Sequence, residues 1–180
     1  MSPASWLFVP GDSARKIWRA LDGHAHALIF DWEDAVAPQA KATARTVTRD
    51  ALSAAANAPR ERLWIRVNAA TTGYHDEDIA ALPVDAIAGI VLPKACGVDD
   101  IRRVAAALDA IDPRATLKIC GIVTETAASV LALSEFRAPL PRLHAMMWGG
   151  EDLSADLASR TIARKTALIA RRFGLHATRC

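Results

Sequence analysis

Residues 28–38 read LIFDWEDAVAP, an apolar run that ends in three acids within four positions. The apolar part, Leu28–Phe30, has the composition of a buried strand, and Asp31, Glu33 and Asp34 follow it directly. Unpaired carboxylates are costly to bury. We therefore predict that Asp31 marks the point where a strand leaves the core, and that basic side chains or a metal ion neutralise the acids there.

The rest of the chain repeats this strand signal and alternates it with helical patterns. The near-continuously apolar runs are Trp6–Pro10, His26–Asp31, Arg62–Asn68, Ala88–Lys94, Leu117–Glu125 and Leu143–Asp152. Such runs are typical of parallel strands that are buried on both faces. The helical patterns between and after them are Asp12–Gly23, Gln39–Asn57, Val98–Asp112, Thr126–Phe136 and Arg160–Gly174.

Alternating strands and helices predict parallel βα units, which fit either a doubly wound open sheet or a (β/α)8 barrel. The polar residues that follow the predicted strands are Asp31, Glu33 and Asp34, then Arg66 and Asn68, Lys94, Glu125, and Glu151 and Asp152. Polar groups from several strand ends that converge on one face are typical of a barrel. An open sheet would concentrate them near one switch point.

The composition of the chain indicates the cellular location of the protein and the classes of partner that it can bind. The chain has 180 residues, of which 52% are hydrophobic and 23% charged, with a net charge of +2. These values fit one globular domain over residues 1–180 and favour neither a nucleic-acid partner nor a membrane. No secretory signal and no apolar run of membrane-spanning length is present in the sequence, so we predict a cytoplasmic location.

Six short motifs carry a family resemblance: LFVPGD, DWEDAV, RVN, LPK, ET and GGEDL, in this order and each at a predicted strand end. Together they resemble the citrate lyase β-subunit-like family of the HpcH/HpaI aldolase superfamily, from Leu7 to about Gly174. The resemblance implies a TIM (β/α)8-type barrel that binds Mg²⁺. It implies a lyase that cleaves a carbon–carbon bond in a short β-hydroxyacyl thioester such as citryl-, malyl- or citramalyl-CoA, giving a 2-keto acid or related acid and an acyl-CoA.

The same resemblance implies roles for particular residues. Glu125 and Asp152 hold the metal, Arg66 binds substrate oxygen, and Glu125 also lines the substrate site. The residue types suit this chemistry, because Mg²⁺ prefers oxygen ligands and arginine can pair with a carboxylate through two hydrogen bonds. Among the acids of DWEDAV we favour Glu33 as the group that orients Arg66 or a metal-bound water.

Each of these residues also has a structural interpretation. Glu125 at the start of a helix is favourable to the helix dipole, and Asp152 can cap the next helix. Arg66 can be an ion-pair partner of an acid in DWEDAV. Lys94 can form a structural ion pair, or it can contact a thioester or phosphate.

The sequence departs from the family in two places. Ala4 and Ser5 occupy the region where the family usually carries an arginine. The chain also supplies about six βα units, whereas a complete barrel has eight. The general base is therefore not identifiable from the sequence. An incomplete barrel would leave sheet edges open to association, which predicts a homo-oligomer.

Two alternatives remain beside the lyase. The chain can be a shortened, catalytically inactive relative that acts as a binding or assembly subunit. It can also be a class II aldolase that acts on free 2-keto acids with the same metal pair.

Overall fold

The computed structural model describes residues 3–137, 139–156 and 176–177, and in this part of the chain seven strands alternate with six α-helices. The strands are β1 (Trp6–Pro10), β2 (Ala27–Asp31), β3 (Leu63–Arg66), β4 (Gly89–Leu92), β5 (Lys118–Ile122), β6 (Leu143–Trp148) and β7 (His176–Ala177). The helices are α1 (Ala14–Leu21), α2 (Lys41–Ala54), α3 (His75–Ala80), α4 (Val98–Ile111), α5 (Ala127–Leu131) and α6 (Gly150–Asp156). Short 3₁₀ helices cover Pro38–Ala40, Arg60–Arg62 and Ala132–Arg137.

All strands belong to one parallel sheet in which spatial order follows chain order, from β1 to β7. Consecutive parallel strands linked by helices are the arrangement of a (β/α) barrel rather than of a doubly wound sheet, whose strand order reverses. Among the residues that the structure describes, β1 and β7 are the two edge strands of the sheet. They do not pair with each other, so the described sheet is not closed into a barrel.

The central strands β2 and β4 are buried on both faces, whereas β1 is partly exposed. The alternation of side chains along each strand decides which of them lie on the same face as Asp31. In β2, Leu28 and Phe30 belong to a core that they share with helix residues, whereas Ile29 belongs to a second core built without helix residues. Successive side chains of a strand point to opposite faces. Asp31 therefore takes the same helix-free face as Ile29, and Arg66 at the end of β3 takes it too.

The described elements differ from the sequence predictions in several places. The strand predicted over Leu143–Asp152 ends at Trp148, and Asp152 lies instead in the first turn of α6. Two glycines follow Trp148, and acids in a first turn are favourable to the helix dipole. α3 was not predicted because HDEDIA has too few apolar residues to show a helical period. β7 was not predicted either, and the helix predicted over Arg160–Gly174 lies outside the described residues.

None of the helices in the described part of the chain combines the length and the apolar character needed to cross a membrane.

Candidate active site

Strand register creates the first ion pair of the site. β2 and β3 align so that Asp31 stands beside Arg66. Arg66 donates two hydrogen bonds to the Asp31 carboxylate, from Nε to Oδ1 at 2.8 Å and from Nη2 to Oδ2 at 2.6 Å. Asp31 is 1% exposed, and it also accepts the backbone N–H groups of Glu33 and Ala35. Both carboxylate oxygens of Asp31 accept hydrogen bonds, so Asp31 orients Arg66 and fixes the turn that follows β2.

Glu33 connects Arg66 to Lys94. Its Oε1 accepts a hydrogen bond from Nζ of Lys94 at 2.8 Å, and its Oε2 lies 2.9 Å from Nη1 of Arg66. That second contact is an ion pair without hydrogen-bond alignment, and within the described residues Oε2 has no hydrogen-bond partner. Burial raises the pKa of Glu33, although the charge of Arg66 and the hydrogen bond from Lys94 act in the opposite direction. Glu33 is therefore a buried carboxylate whose Oε2 is paired with the charge of Arg66 and makes no aligned hydrogen bond within the described residues.

Lys94 connects this cluster to a second pair of acids. Its backbone is left-handed, with φ of 53°, which is uncommon for a residue other than glycine. This conformation follows Pro93 at the end of β4 and directs the backbone N–H of Lys94 to Oε2 of Glu125, while Nζ reaches Glu33. Burial alone would lower the pKa of Lys94, but the hydrogen bond and the charge of Glu33 raise it.

Glu125 and Asp152 meet at the end of the site opposite to Arg66. Glu125 follows β5 and is 3% exposed. Burial, followed by a hydrogen bond with Asp152 and the charge of that residue, raises the pKa of Glu125 to about 8. Two carboxyl groups in direct contact, one of them buried, form a centre where negative charge is unfavourable unless a proton or a cation is shared. Within the described residues no group of three or more metal-binding side chains is present, so the centre is a pair.

The sequence profile of the HpcH/HpaI aldolase/citrate lyase family matches residues 4–179. The chain belongs to this family. A (3S)-malyl-CoA thioesterase of Cereibacter sphaeroides is 34% identical over 164 residues, which make up 91% of this chain and 54% of that protein. A citrate lyase subunit beta-like protein of Mycobacterium tuberculosis is 33% identical over 159 residues, with 88% and 52% covered. The chain thus spans about half the length of the curated relatives it matches.

Solved structures of the HpcH/HpaI family confirm the predicted barrel-type α/β fold. The citrate lyase beta subunit of M. tuberculosis complexed with oxaloacetate and magnesium has a TM-score of 0.72 at 30% identity, covering 97% of this chain and 78% of that one. The protein CitE of the same organism in complex with magnesium, acetoacetate and coenzyme A has a TM-score of 0.71 at 30% identity, covering 97% and 65%. The family predicted from the six motifs is therefore correct, and these relatives carry magnesium.

The four residues predicted for the HpcH/HpaI site lie in one continuous network. Arg66 contacts Glu33, Glu33 contacts Lys94, Lys94 contacts Glu125, and Glu125 contacts Asp152. Glu33 is the residue favoured from the sequence to orient Arg66 or a metal-bound water, and in the structure Asp31 makes the paired hydrogen bond to Arg66. The Nε edge of Arg66 is consequently occupied, and a substrate carboxylate would have to approach through Nη1.

Two buried polar residues lie beside the site; Lys41 was not predicted, and Asn68 was predicted only as a polar residue at a strand end. Lys41 donates hydrogen bonds to the carbonyl oxygens of Trp32 and Glu33, and Asn68 donates to the carbonyl of Trp32. Asn68 belongs to the RVN motif, but its contact depends on the turn after β2. Lys41 had one signal in the sequence: a lysine at the start of a predicted helix, where the helix dipole disfavours a cation.

Ser5 lies in the region where the family usually carries an arginine, and its side chain connects the chain segments that lead into two strands of the sheet. The Ser5 hydroxyl accepts a hydrogen bond from the backbone N–H of His26 at 3.0 Å. This contact links the residues that precede β1 and β2.

Of two surface cavities in the described part of the chain, the smaller adjoins the site at Lys94. A cavity of about 200 Å³ is lined by Thr71, Pro93, Lys94, Cys96 and Arg103, among others. The larger one, of about 320 Å³, lies between β1 and α1, away from the acids. We place the active site by its charged groups and consider the cavity at Lys94 as its extension.

Gly149 permits the close approach of β6 to Glu125. A Cβ atom at this position would lie 2.3 Å from Cγ of Glu125 and 3.0 Å from Ile122. We expect Gly149→Ala to lower the free energy of unfolding by about 1–3 kcal/mol, because overpacking forces anchored groups to move. Urea denaturation measures this change.

The matched control for that substitution is Gly73→Ala, because a Cβ atom at Gly73 meets no other atom within 4 Å. We expect the control to change the free energy of unfolding by less than about 0.5 kcal/mol. Equal stability of the two variants would contradict the close contact at Glu125.

Proposed function

We propose that the chain is a Mg²⁺-dependent carbon–carbon lyase that cleaves a short β-hydroxyacyl thioester, with citryl-, malyl- or citramalyl-CoA as the substrate class. The observation that carries the proposal is the buried carboxyl group of Glu125 beside that of Asp152: burial first, and then the neighbouring acid, raise the pKa of Glu125 to about 8. Such a pair shares either a proton or a cation. It lies at one end of a network whose other end carries Arg66, a group suited to a substrate carboxylate.

The charges of the site fit a divalent cation. The acids in and around the network are Asp31, Glu33, Asp34, Glu125 and Asp152, and the bases are Lys41, Arg66 and Lys94. Five acids against three bases leave two negative charges when every group is ionised. Two carboxylates are also the protein share of many Mg²⁺ sites, which leaves other positions for water and substrate. Glu125 and Asp152 would therefore hold the ion, which supplies a Lewis acid for substrate oxygens.

Arg66 is the substrate-binding group of the proposal. The Arg66 side chain is 12% exposed, and its Cζ atom lies 4.8 Å from the centre of the Phe8 ring. With Nε and Nη2 held by Asp31, Nη1, which also forms the ion pair with Glu33, is the nitrogen proposed to bind a substrate oxygen. A fixed positive charge at this place stabilises the negative charge that develops on the oxygen during cleavage.

Glu33 is the proposed proton acceptor. Its Oε2 makes no hydrogen bond within the described residues, and a raised pKa improves a carboxylate as a base. The substrate hydroxyl gives its proton to Glu33, and the carbon–carbon bond breaks. The electron pair of that bond moves into the thioester as an enolate, and the hydroxyl carbon becomes the carbonyl carbon of the released acid. A proton returned to the enolate carbon completes the acyl-CoA.

Calorimetry and a cleavage assay test the proposal. We expect Mg²⁺ to bind, and oxaloacetate to bind only when Mg²⁺ is present. We also expect malyl-CoA, citramalyl-CoA or citryl-CoA to yield a keto acid and an acyl-CoA in a Mg²⁺-dependent reaction. Absence of any Mg²⁺-dependent binding would favour an inactive binding or assembly relative. A reaction that requires free pyruvate and ignores CoA esters would instead select a class II aldolase.

The likeness to a (3S)-malyl-CoA thioesterase favours a second candidate, hydrolysis of the thioester. In that reaction water attacks the thioester carbonyl and the carbon–sulfur bond breaks, so free CoA thiol and an intact hydroxy acid are released. The lyase reaction releases a keto acid and an acyl-CoA with no free thiol. A thiol reagent and a keto-acid assay on the same sample separate the two activities.

Three expectations from the sequence stay predictions. They are a single domain over residues 1–180, a homo-oligomer and a cytoplasmic location.

A further inference from the structure

Lys41 is a buried cation that the proposed reaction does not use. It is the first residue of α2 and is 7% exposed. Its Nζ donates hydrogen bonds to the carbonyl oxygens of Trp32 at 2.8 Å and Glu33 at 2.7 Å. Lysine is almost never fully buried without partners, and a cation in the first turn opposes the helix dipole. Such departures from local preference are expected where function requires them.

The two carbonyls belong to the turn that leaves β2 and carries Glu33. Asp31 holds this turn from the strand side, because it accepts the backbone N–H of Glu33 at 2.8 Å and of Ala35 at 3.0 Å. Lys41 holds it from the helix side through the carbonyls. The turn is therefore fixed between an anion that binds its N–H groups and a cation that binds its C=O groups.

The two carbonyls do not depend on Lys41 equally. The Trp32 carbonyl also accepts a hydrogen bond from Nδ2 of Asn68 at 2.9 Å, and the Trp32 indole donates to Thr48 at 3.0 Å. Trp32 would remain fixed without Lys41. The Glu33 carbonyl also accepts the backbone N–H of Val36 at 3.0 Å, but that bond lies within the turn itself, and Lys41 is the donor that links this carbonyl to α2. A loss of Lys41 therefore acts first on the backbone of Glu33.

The surroundings keep the Lys41 ammonium in place. Its Nζ lies 5.7 Å from the centre of the Tyr74 ring, within the range of a cation–π contact. Burial lowers the pKa of Lys41, and the charges of Asp31, Glu33 and Asp78 act in the opposite direction. The carbonyls supply the hydrogen bonds and the nearby acids supply the counter-charge.

We propose that Lys41 is a positioning residue, whose ammonium fixes the turn after β2 so that the Glu33 carboxylate meets Arg66 and Lys94 at the substrate end of the site. The inference rests on the proposed function, because it requires that Glu33 and Arg66 handle substrate. Within the described residues Lys41 contacts Trp32 and Glu33 directly and is connected to Glu125 through Glu33 and Lys94. We therefore expect its main effect at the substrate end of the network.

The test compares Lys41→Met with Lys16→Met, a matched change at an exposed lysine of α1. Amide hydrogen exchange measured by NMR reports on the turn. We expect the amides of Glu33 and Ala35 to exchange at least about tenfold faster in Lys41→Met, with Ile119 of β5 unchanged, because only the local opening energy falls. Calorimetry should show at least about a tenfold loss of oxaloacetate affinity in the presence of Mg²⁺, with Mg²⁺ affinity within about threefold of wild type.

Each outcome decides the proposal. Unchanged exchange at Glu33 and Ala35 overturns it, and so does faster exchange with unchanged oxaloacetate affinity, because a merely structural lysine would give that result. Lys41→Arg, which keeps the charge and the donors, should recover part of both losses and replaces the methionine variant if that variant does not fold. If wild type binds neither Mg²⁺ nor oxaloacetate, the proposed function fails, and the exchange data alone decide whether Lys41 anchors the turn.

Discussion

Glu125→Gln is expected to abolish Mg²⁺-dependent cleavage and to make the metal-free protein more stable above neutral pH. Glutamine retains an acceptor for the Lys94 N–H and can donate to Asp152, so the fold is preserved. It removes one of two proposed ligands, and we expect Mg²⁺ affinity to fall by about a hundredfold or more. Calorimetry measures the affinity, and release of acyl-CoA measures the activity.

The stability change has a sign that follows from the pKa. Below its ordinary value of 4.5, Glu125 is protonated in both the folded and the unfolded chain. Between 4.5 and about 8 the folded chain keeps a proton that the unfolded chain has lost, so the stability of the metal-free protein falls as pH rises through this window. Glutamine removes this slope. We expect the variant to exceed wild type by on the order of 1–3 kcal/mol at a pH above 8.

Urea denaturation at pH 5 and pH 8.5, without metal, measures that difference. The control is Glu151→Gln, an exposed acid beside Asp152 in α6. It should leave both the pH slope and the affinity for Mg²⁺ unchanged. If Glu125→Gln and wild type showed the same pH slope, the buried contact with Asp152 would be disproved. Equal cleavage by the two proteins would remove Glu125 from the metal site.

Arg66→Lys is expected to have the second-largest effect, although it preserves the charge. The guanidinium makes two hydrogen bonds to Asp31 and an ion pair with Glu33. An ammonium is a point charge that cannot make this set of contacts in one geometry. We expect a loss of about 2–4 kcal/mol in the free energy of unfolding, because buried acids lose their partner. We expect kcat/KM to fall by at least about a hundredfold.

The control for this substitution is Arg102→Lys, whose arginine forms an exposed pair with Asp99 in α4. That change should alter stability by less than about 0.5 kcal/mol. Urea denaturation and steady-state kinetics measure both variants. An Arg66→Lys protein within threefold of wild-type kcat/KM would show that paired recognition by arginine is not required for the reaction.

The neutralisation of the acids after β2 could be predicted from the sequence, because the energy of burying a carboxylate forces a partner to exist. In the structure, Arg66 and Lys94 form ion pairs with Glu33, one of these acids. The choice between Asp31 and Glu33 could not be predicted. It depends on the register between β2 and β3, which the apolar pattern of strands buried on both faces leaves weakly specified.

The contact of Glu125 with Asp152 followed from the family motifs rather than from spacing. The local structure around Asp152 could not be predicted from the motifs. The strand predicted over Leu143–Asp152 ends at Trp148, and Asp152 belongs to α6. The position of Lys41 at the start of a predicted helix was its one signal in the sequence, and that signal does not separate a buried lysine from a solvated one until the turn that it binds is known. Local sequence thus predicts which residues carry charge, and long-range packing decides which of them touch.

The left-handed backbone of Lys94 limits how position 94 can change during evolution. A residue other than glycine in this conformation costs about 1 kcal/mol, and glycine would remove that strain but also the amine that reaches Glu33. Most other side chains would retain the strain and lose the amine as well. Drift toward glycine would therefore give a more relaxed protein with a weaker acid–base network, so mutational tolerance at this position reports directly on whether selection acts on catalysis or only on folding.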